Sequence, residues 1–306
     1  MSLSQLSARI VKDFRKNKMV YLMAVPMVVF LVLFRYLPML GIAIAFQDFK
    51  YRVGFFGSKW VGLKHFQSFV NGYYFGRVVS NTLIISLLDL LFVFPMPILL
   101  ALLINEMKGQ RFKRLVQTVS YMPHFISIIV FSGMIIEFCS LDGLISKIIS
   151  IFGGERVNLL MKPEAFRGVY TASSIWKETG WGAIIYLAAV TRVDPQLYEA
   201  AEMDGATRLG KLWHITLPGI LPTVIMMLIL KMGNMMNVGF ERIILLYNDV
   251  TMETADVIST YVYRKGLIDM NYSFSTAVDF FNSIINFSLV LLTNAISRRV
   301  SETSLW

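Results

Sequence analysis

Six long apolar stretches constrain the fold of this chain more than any other feature of its sequence. A helix needs roughly 20 mostly apolar residues to cross the hydrocarbon core of a bilayer, which is about 30 Å thick. Each stretch holds between 22 and 28 residues, so each is long enough to span a membrane. The six predicted spans are residues 19–46, 78–104, 115–138, 169–191, 218–240 and 276–297. The sequence therefore predicts an all-α integral membrane protein with six transmembrane helices.

The composition argues against several functional classes. Of the 306 residues, 56% are hydrophobic and 16% are charged, whereas soluble domains carry roughly a quarter charged residues. The net charge is +9, but the basic residues lie between the apolar stretches and form no single stripe, so we expect lipid and no nucleic acid as a partner. Cys139 is the only cysteine, and the three histidines lack the spacing of metal ligands. We expect neither a metal centre nor an enzyme site.

The Lys and Arg content of the connecting segments predicts the orientation, because cytoplasmic loops are enriched in these residues. One side holds 14 Lys or Arg in 63 positions, and the other side holds 12 in 96. The richer side consists of residues 1–18, 105–114, 192–217 and 298–306. Both termini are thus predicted to lie in the cytoplasm. The first outer loop runs against this trend with five basic residues: Lys50, Arg52, Lys59, Lys64 and Arg77.

The connection from Arg192 to Leu217 has the pattern of a helical hairpin. Asp194 is a favourable N-cap, and Pro195 fits the first helical position, where its missing N–H costs nothing. Gly205 supplies the left-handed residue that ends a helix. A second helical run, residues 207–214, is predicted to stop before Pro218, which would open the fifth span.

The same connection contains the spacing of a phosphate-binding loop. Residues 205–211 satisfy GxxxxGK, but Leu212 follows where a magnesium-binding Ser or Thr is needed. A predicted helix also precedes the glycine in place of a buried strand. We therefore expect no nucleotide site and no ATPase activity in this chain.

The connection resembles the EAA loop of ATP-binding-cassette (ABC) importer permeases. The pattern EAA, three residues, Gly, nine residues, Ile, one residue, Leu-Pro is met without a gap, although Trp213 stands where the family often has Phe. The matching positions are Glu199, Ala200, Ala201, Asp204, Gly205, Ala206, Ile215, Leu217 and Pro218. The resemblance implies a type I permease core of five helices preceded by one N-terminal helix. It also implies that this loop forms coupling helices that fit a cleft on a separate ATPase subunit.

The resemblance further implies how the chain is divided and what it assembles with. Residues 1–77 would hold the basic N-terminus, the first helix and the first outer loop, residues 78–297 the type-1 transmembrane domain, and residues 298–306 a cytoplasmic tail. The expected partners are a second homologous permease, two ATPase subunits and an extracytoplasmic solute-binding protein. ATP and magnesium would bind the ATPase subunits, and the complex would lie in the bacterial cytoplasmic membrane.

Four further stretches are similar to carbohydrate permeases, namely residues 38–46, 60–63, 81–82 and 121–127. Among these they most resemble the first permease of aldouronate-type importers, which take up polysaccharide-derived oligosaccharides. The resemblance implies oligosaccharide import, with acidic sugars among the expected cargos. It leaves the identity and length of the sugar open.

Polar residues inside the predicted spans are candidates for the translocation path, because a charge in a membrane usually faces a cavity or a partner. In the sixth span Asp279, Asn282 and Asn286 share one helix face, and in the fifth span three polar residues fall within about 120°. The full set of candidates is Asp279, Asn282, Asn286, Lys231, Asn234, Asn237, Trp176 and Asp89. In a structural alternative, the polar groups lock helices together and the tryptophan anchors the chain at the interface.

Two other functions remain open on the sequence alone. A secondary transporter driven by an ion gradient would use Asp89, Asp279 and Lys231 as proton or sodium sites, but it would leave the EAA-like loop without a role. An ABC importer for a non-sugar solute would keep the loop and change only the cargo.

Overall fold

The computed structural model of the chain describes residue 13 and residues 16–300, with the last of these as backbone only. Arg9, Lys12 and Arg15 of the basic N-terminal run, and residues 301–306 of the predicted tail, lie outside the described residues. The described part is all-α, as predicted, apart from one small antiparallel pair of strands.

Residues 18–70 form a membrane-length helix followed by a connecting segment with two short strands. The helix consists of α1 (Lys18–Leu31), a π-helical turn (Val32–Tyr36), α2 (Leu37–Met39) and a 3₁₀-helical segment (Leu40–Phe46). The loop contains β1 (Gln47–Asp48), α3 (Gly54–Gly57), β2 (Lys59–Trp60) and α4 (Lys64–Val70).

The remainder of the chain is a helical bundle. Its first half contains α5 (Phe75–Leu88), a π-helical turn (Asp89–Val93), α6 (Pro95–Glu106), α7 (Gln110–Phe125), α8 (Ile128–Cys139), α9 (Leu144–Ile151), a 3₁₀ turn (Leu159–Met161) and α10 (Pro163–Val190). Its second half contains α11 (Pro195–Met203), α12 (Arg208–Lys211), a π-helical turn (Leu212–Thr216), α13 (Leu217–Met232), α14 (Phe240–Leu246), α15 (Met252–Ala255), α16 (Ile258–Tyr263), a π-helical turn (Arg264–Ile268) and α17 (Tyr272–Val300).

Five helical stretches within the described residues are long and apolar enough to cross a membrane. They are Lys18–Phe46, Phe75–Glu106, Ile128–Ile151, Arg208–Met232 and Tyr272–Arg299. The third of them is interrupted at residues 140–143, which are not helical, so it consists of α8 and the short helix α9. The predicted span 169–191 lies within α10, whose 28 residues correspond to about 42 Å of helix. Because α10 carries Lys177 and Glu178 in its middle, it is more polar than the other five stretches.

Two predicted spans have the wrong boundaries. Residues 115–138 are not one helix, because α7 ends at Phe125 and the next helix begins after Ser127, whose hydroxyl accepts the N–H of Val130 at 3.3 Å as an N-cap. The fifth span does not reach residue 240, because α13 ends at Met232 and residues 233–239 are not helical.

The fifth span also begins earlier than predicted, because Pro218 does not start a new helix. In the π-helical turn before it, the N–H of Leu217 donates to the carbonyl of Leu212, five residues back. A proline has no N–H and its ring clashes with the carbonyl four residues earlier in a regular α-helix. The wider turn accommodates the ring. Pro38 and Pro95 also lie two residues after a π-helical turn.

Helix α10 lies at the centre of the bundle and packs against α6, α7 and α13. At Gly180 the backbones approach so closely that an added Cβ would lie 1.9 Å from the carbonyl oxygen of Ser120 in α7. Membrane helices pack tightly where small residues let their backbones meet. The helix α17 packs on the other side against the Leu40–Phe46 segment and α4. Residues 191–194 connect the end of the central helix α10 to the hairpin at residues 195–211.

Candidate functional site

The hairpin formed by α11 and α12 is built by local capping interactions. The Asp194 carboxylate accepts the N–H of Gln196 at 2.9 Å, and Pro195 occupies the first turn of α11. Gly205 has φ = +74°, and the Ala206 N–H then donates to the carbonyl of Ala201 at 2.9 Å. These contacts confirm the predicted N-cap and the predicted left-handed glycine.

Two side-chain contacts tie α11 to the membrane helix that follows it. The hydroxyls of Tyr198 and Thr216 are 2.9 Å apart, and the Lys211 ammonium lies 2.5 Å from the Glu202 carboxylate. The hydrogen bond from Lys211 and its positive charge lower the pKa of Glu202. The side chain of Leu217 packs, with that of Leu212, on a core formed by α6, α10 and α13. The hairpin is therefore fixed to the bundle at its base.

The surface of the α11–α12 hairpin that faces away from the bundle is exposed and contains many apolar side chains. Glu199 and Ala200 are exposed on α11, Ala201 is half-buried, and Asp204, Gly205 and Pro218 are exposed. Four large apolar side chains around them are also exposed: Leu197 (52%), Met203 (89%), Leu209 (71%) and Trp213 (65%). Ile215 and Ala206 are half-buried. An apolar patch rimmed by charges is typical of a protein-binding surface.

The second feature is the non-helical segment 233–239, which interrupts the bundle between α13 and α14. Ser86 donates its hydroxyl hydrogen to the carbonyl of Met235 at 2.5 Å, and the N–H of Met236 donates to the Asn286 side chain at 2.9 Å. Lipid offers no hydrogen bonds, so unwound backbone inside a membrane protein must be satisfied by protein groups. These buried polar side chains perform that task.

The predicted polar residues of α17 have different surroundings, because two of them contact the unwound segment and the third does not. Asn282 (2% exposed) donates to the Asn237 side chain at 2.7 Å, and Asn286 (6% exposed) accepts the N–H of Met236, so both hold the unwound segment against α17. Asp279 is exposed and lines a groove that Arg35 of the first helix also lines. Asn234 is exposed and has no side-chain hydrogen bond to any described residue. The role of these residues in a translocation path stays a prediction.

Lys231 and Asp89 form an ion pair that joins α13 to the π-helical turn Asp89–Val93. The two side chains are 31% and 21% exposed, so they are only partly accessible. An unpaired charge within a membrane is expensive, so pairing explains how both are tolerated. The sequence singled out both residues but could not show that they meet.

Arg242 is a site residue that the sequence reasoning missed, because it was assigned to an outer loop. It is 5% exposed, its guanidinium lies 4.6 Å from the centre of the Tyr170 ring, and it is 3.2 Å from the carboxylate of Glu178. Two of its guanidinium nitrogens, Nε and Nη1, have no hydrogen-bond partner among the described residues. Periodicity could not find it, because the unwound segment breaks the helical pattern before it.

Lys177 and Trp176, next to each other on α10, have different surroundings. The Lys177 ammonium lies 2.7 Å from the carbonyl of Ile126 and so caps the end of α7. The Trp176 ring packs against Phe131 and Phe138, with centroid distances of 5.2 and 6.2 Å, and is 41% exposed. Ser120, Ser173 and Thr179 line the grooves beside this ring together with apolar side chains, and the role of Trp176 in binding a sugar stays a prediction.

A further charged cluster connects α5, α10 and the α15–α16 segment. Asp256 is fully buried, and its carboxylate lies 2.7 Å from Arg264 and 3.5 Å from Arg77. Asn81 donates to the carbonyl of Asp256 at 2.9 Å and accepts from Arg167 at 2.8 Å. No sequence pattern predicts this cluster, because its members are separated by up to 187 residues and share no helix pattern.

Comparison with known proteins gives one consistent result. Residues 93–302 match the family described as "Binding-protein-dependent transport system inner membrane component". The polygalacturonan/rhamnogalacturonan transport system permease protein YteP of Bacillus subtilis (strain 168) is 46% identical over 95% of this chain and 91% of its own length. Protein LplB of the same organism is 42% identical over 95% and 92%.

Solved structures agree with these relatives. A bacterial ABC transporter involved in the import of the acidic polysaccharide alginate contains a chain that is 43% identical to this one, with a TM-score of 0.89 over 95% of this chain and 99% of that chain. The same transporter in complex with an alginate pentasaccharide-bound periplasmic protein matches with a TM-score of 0.90.

Proposed function

Because the chain belongs to the family of binding-protein-dependent transport system inner membrane components, we propose that it is the permease subunit of an ATP-driven ABC importer of oligosaccharides. The observation that carries the proposal is the α11–α12 hairpin. It presents an exposed apolar surface, and its base is anchored in the core of the bundle. Both properties are needed for a subunit that receives a movement from one protein and passes it to its own helices.

The proposed assembly contains this chain, a second permease, two ATPase subunits and an extracytoplasmic binding protein. ATP and magnesium bind the ATPase subunits, and this chain supplies no catalytic group. Closure of the ATPases can shift the permease between two conformations only if it makes different contacts with each of them. The contacts of Leu212 and Leu217 with the bundle core support such a transfer, because a displaced hairpin must move α13 or lose this packing.

The proposed cargo is an oligosaccharide derived from an acidic polysaccharide. One relative is named for polygalacturonan and rhamnogalacturonan, and the matching solved transporter imports alginate. Exposed amides such as Asn234 and Asn237 are suited to sugar hydroxyls.

The proposal is tested by reconstituting the whole complex in proteoliposomes and measuring uptake of uronide and neutral oligosaccharides of equal length. We expect uptake that requires ATP and a loaded binding protein and that persists when ionophores remove all ion gradients. Uptake that stops with the ionophore would favour an ion-driven transporter. Equal failure with both sugars, together with uptake of another solute, would favour a non-sugar cargo.

A pair of asparagine variants separates a path residue from a packing residue. Asn234→Ala removes an exposed amide without a protein partner, so we expect a KM for uptake that is about 3- to 10-fold higher, in line with one lost hydrogen bond, and unchanged assembly. Asn282→Ala removes the buried contact to Asn237, so we expect a loss of about 1 kcal/mol of stability. Normal transport kinetics in Asn234→Ala would show that this face does not contact the cargo.

The proposed orientation is tested by cysteine labelling in a Cys139→Ser background. Met203→Cys lies on the exposed hairpin and Asp142→Cys lies in the segment between α8 and α9. An impermeant maleimide added to intact cells should label Asp142→Cys and should label Met203→Cys only after permeabilisation. The reverse pattern would invert the proposed topology.

A further inference from the structure

The first outer loop carries three basic side chains without a partner. Of its five basic residues, Lys64 pairs with Asp48 at 2.8 Å and Arg77 pairs with Asp256 at 3.5 Å. The other three are exposed, and their side chains make no hydrogen bond or ion pair with any described residue: Lys50, Arg52 and Lys59. These three lie in residues 47–60, which we call the outer hairpin.

The outer hairpin also exposes three aromatic rings. Phe56 is 98% exposed, Tyr51 is 89% exposed and Trp60 is 62% exposed. The basic and aromatic residues alternate along the segment, so the surface is both apolar and positively charged. Tyr and Trp are enriched at the level of lipid headgroups, because one part of each side chain is apolar and another is hydrated.

Internal hydrogen bonds hold the outer hairpin in a fixed shape. Gln47 pairs with Trp60 and Asp48 with Lys59 in the two strands. The Ser58 hydroxyl donates to the carbonyl of Gly54 at 2.6 Å and accepts the N–H of Lys50 at 3.1 Å. The Asp48 carboxylate is occupied by Lys64 and His65, so it does not neutralise Lys59 opposite.

The ends of two membrane-length helices determine the position of the outer hairpin relative to the bilayer. It begins immediately after Phe46, where the first membrane-length helix ends. The N–H of Phe49 donates to the hydroxyl of Ser273 at 2.8 Å, and its ring lies 6.3 Å from that of Tyr272, the first residue of α17. Because one membrane-length helix ends here and another begins here, we expect the outer hairpin to lie at the surface of the bilayer.

We propose that the outer hairpin is a docking surface for the anionic phospholipid headgroups of the outer leaflet. Its aromatic side chains enter the interface, while Lys50, Arg52 and Lys59 contact lipid phosphates. Basic residues close to an anionic membrane surface are attracted to it electrostatically. The location at the ends of two membrane helices favours lipid over the solute-binding protein as the partner. This inference rests on the proposed orientation and does not depend on the cargo.

The test places a spin label at Phe56→Cys in the complete importer with a Cys139→Ser permease. Vesicles of phosphatidylcholine are compared with vesicles that also contain phosphatidylglycerol. Collisions of the label with oxygen, which concentrates in lipid, are compared with collisions with a water-soluble nickel chelate. With phosphatidylglycerol we expect frequent oxygen collisions and strong protection from nickel. Asp142→Cys, whose native side chain is 83% exposed, is the control and should be accessible to nickel in both lipids.

A charge variant then tests the role of the three cations. Lys50→Gln, Arg52→Gln and Lys59→Gln together should remove the dependence on phosphatidylglycerol, with roughly a 5-fold loss of apparent affinity for each cation removed. Nickel access at position 56 equal to that at position 142 would overturn the proposal. Protection that requires the loaded binding protein would also overturn it and assign the surface to that protein. Uptake measured on the same vesicles tests the proposed function separately, because label depth does not depend on transport.

Discussion

Replacing Gly205 by valine is expected to abolish coupling while the permease stays folded in the membrane. The glycine has φ = +74°, a conformation that costs a residue with a Cβ about 1–2 kcal/mol. An added Cβ would meet no atom within 4 Å, so backbone strain is the only direct effect. Relief of this strain tilts α11 against α12 and displaces Glu199 and Ala200. Substrate-stimulated ATP hydrolysis should fall about tenfold or more, which requires a loss of only about 1.4 kcal/mol of coupling free energy.

The chain offers matched controls for this experiment. Gly153 has φ = +84° and also has open space around its Cβ position, but it lies in the segment after α9. Gly153→Val carries the same backbone strain and should keep normal coupling. Gly205→Asn should be mild, because asparagine tolerates the left-handed region. Ala201→Trp should have the same effect as Gly205→Val, because the larger side chain overfills the surface of α11 that is proposed to contact the ATPase subunit.

The measurement is the amount of ATPase subunit retained on the purified permease, together with hydrolysis at saturating loaded binding protein. Full retention and normal stimulation in both Gly205→Val and Ala201→Trp would refute the assignment of the hairpin as the coupling element. A loss that is equal in Gly153→Val would show that general strain, not the position of the hairpin, is responsible.

Replacing Asp256 by asparagine is expected to have the largest effect on stability. The carboxylate is fully buried between Arg264 and Arg77, and it also accepts the hydroxyl hydrogen of Thr260 at 2.8 Å. Removing one partner of a buried ion pair leaves an uncompensated charge and costs about 3–5 kcal/mol. We expect a large fall in the midpoint of thermal unfolding of the purified complex and a lower yield in membranes.

Two further variants check the reason for this loss. Asp249→Asn changes an exposed acidic residue of the same connecting segment and should leave the unfolding midpoint unchanged. Adding Arg264→Gln to Asp256→Asn removes one of the uncompensated charges and should restore part of the lost stability. An Asp256→Asn protein that unfolds at the parental temperature would mean that the cluster does not hold these helix ends together.

The hairpin was predictable from the sequence because its determinants are local. A cap, a first-turn proline and a left-handed glycine act within a few residues, and Asp194, Pro195 and Gly205 occupy the expected conformations. The helical nature of most apolar stretches was predictable for the same reason. Length and apolar character determine whether a segment can span a bilayer, whatever its neighbours are.

The contacts of the polar residues were not predictable, because they depend on distant parts of the chain. The sequence placed Asn282 and Asn286 on one face with Asp279, but it could not show that the two amides meet the unwound segment 233–239. Nor could it show that Arg242 lies beside Glu178, 64 residues earlier. Hydropathy also placed the fifth span too late in the chain, since the helix begins before Pro218 and ends at Met232.

The π-helical turn at Leu212–Thr216 also has a geometric consequence for the fifth span. Relative to a regular α-helix, such a turn contains one additional residue, and one residue corresponds to a rotation of about 100° around the helix axis. If residues are counted from α12 at 100° per residue, every side chain after the turn is therefore rotated by about 100° from its expected direction. Lys231, which pairs with Asp89, is one of the side chains that carry this offset. Deleting one residue between Leu212 and Thr216 would leave the composition of the helix almost unchanged and turn the ammonium away from its carboxylate.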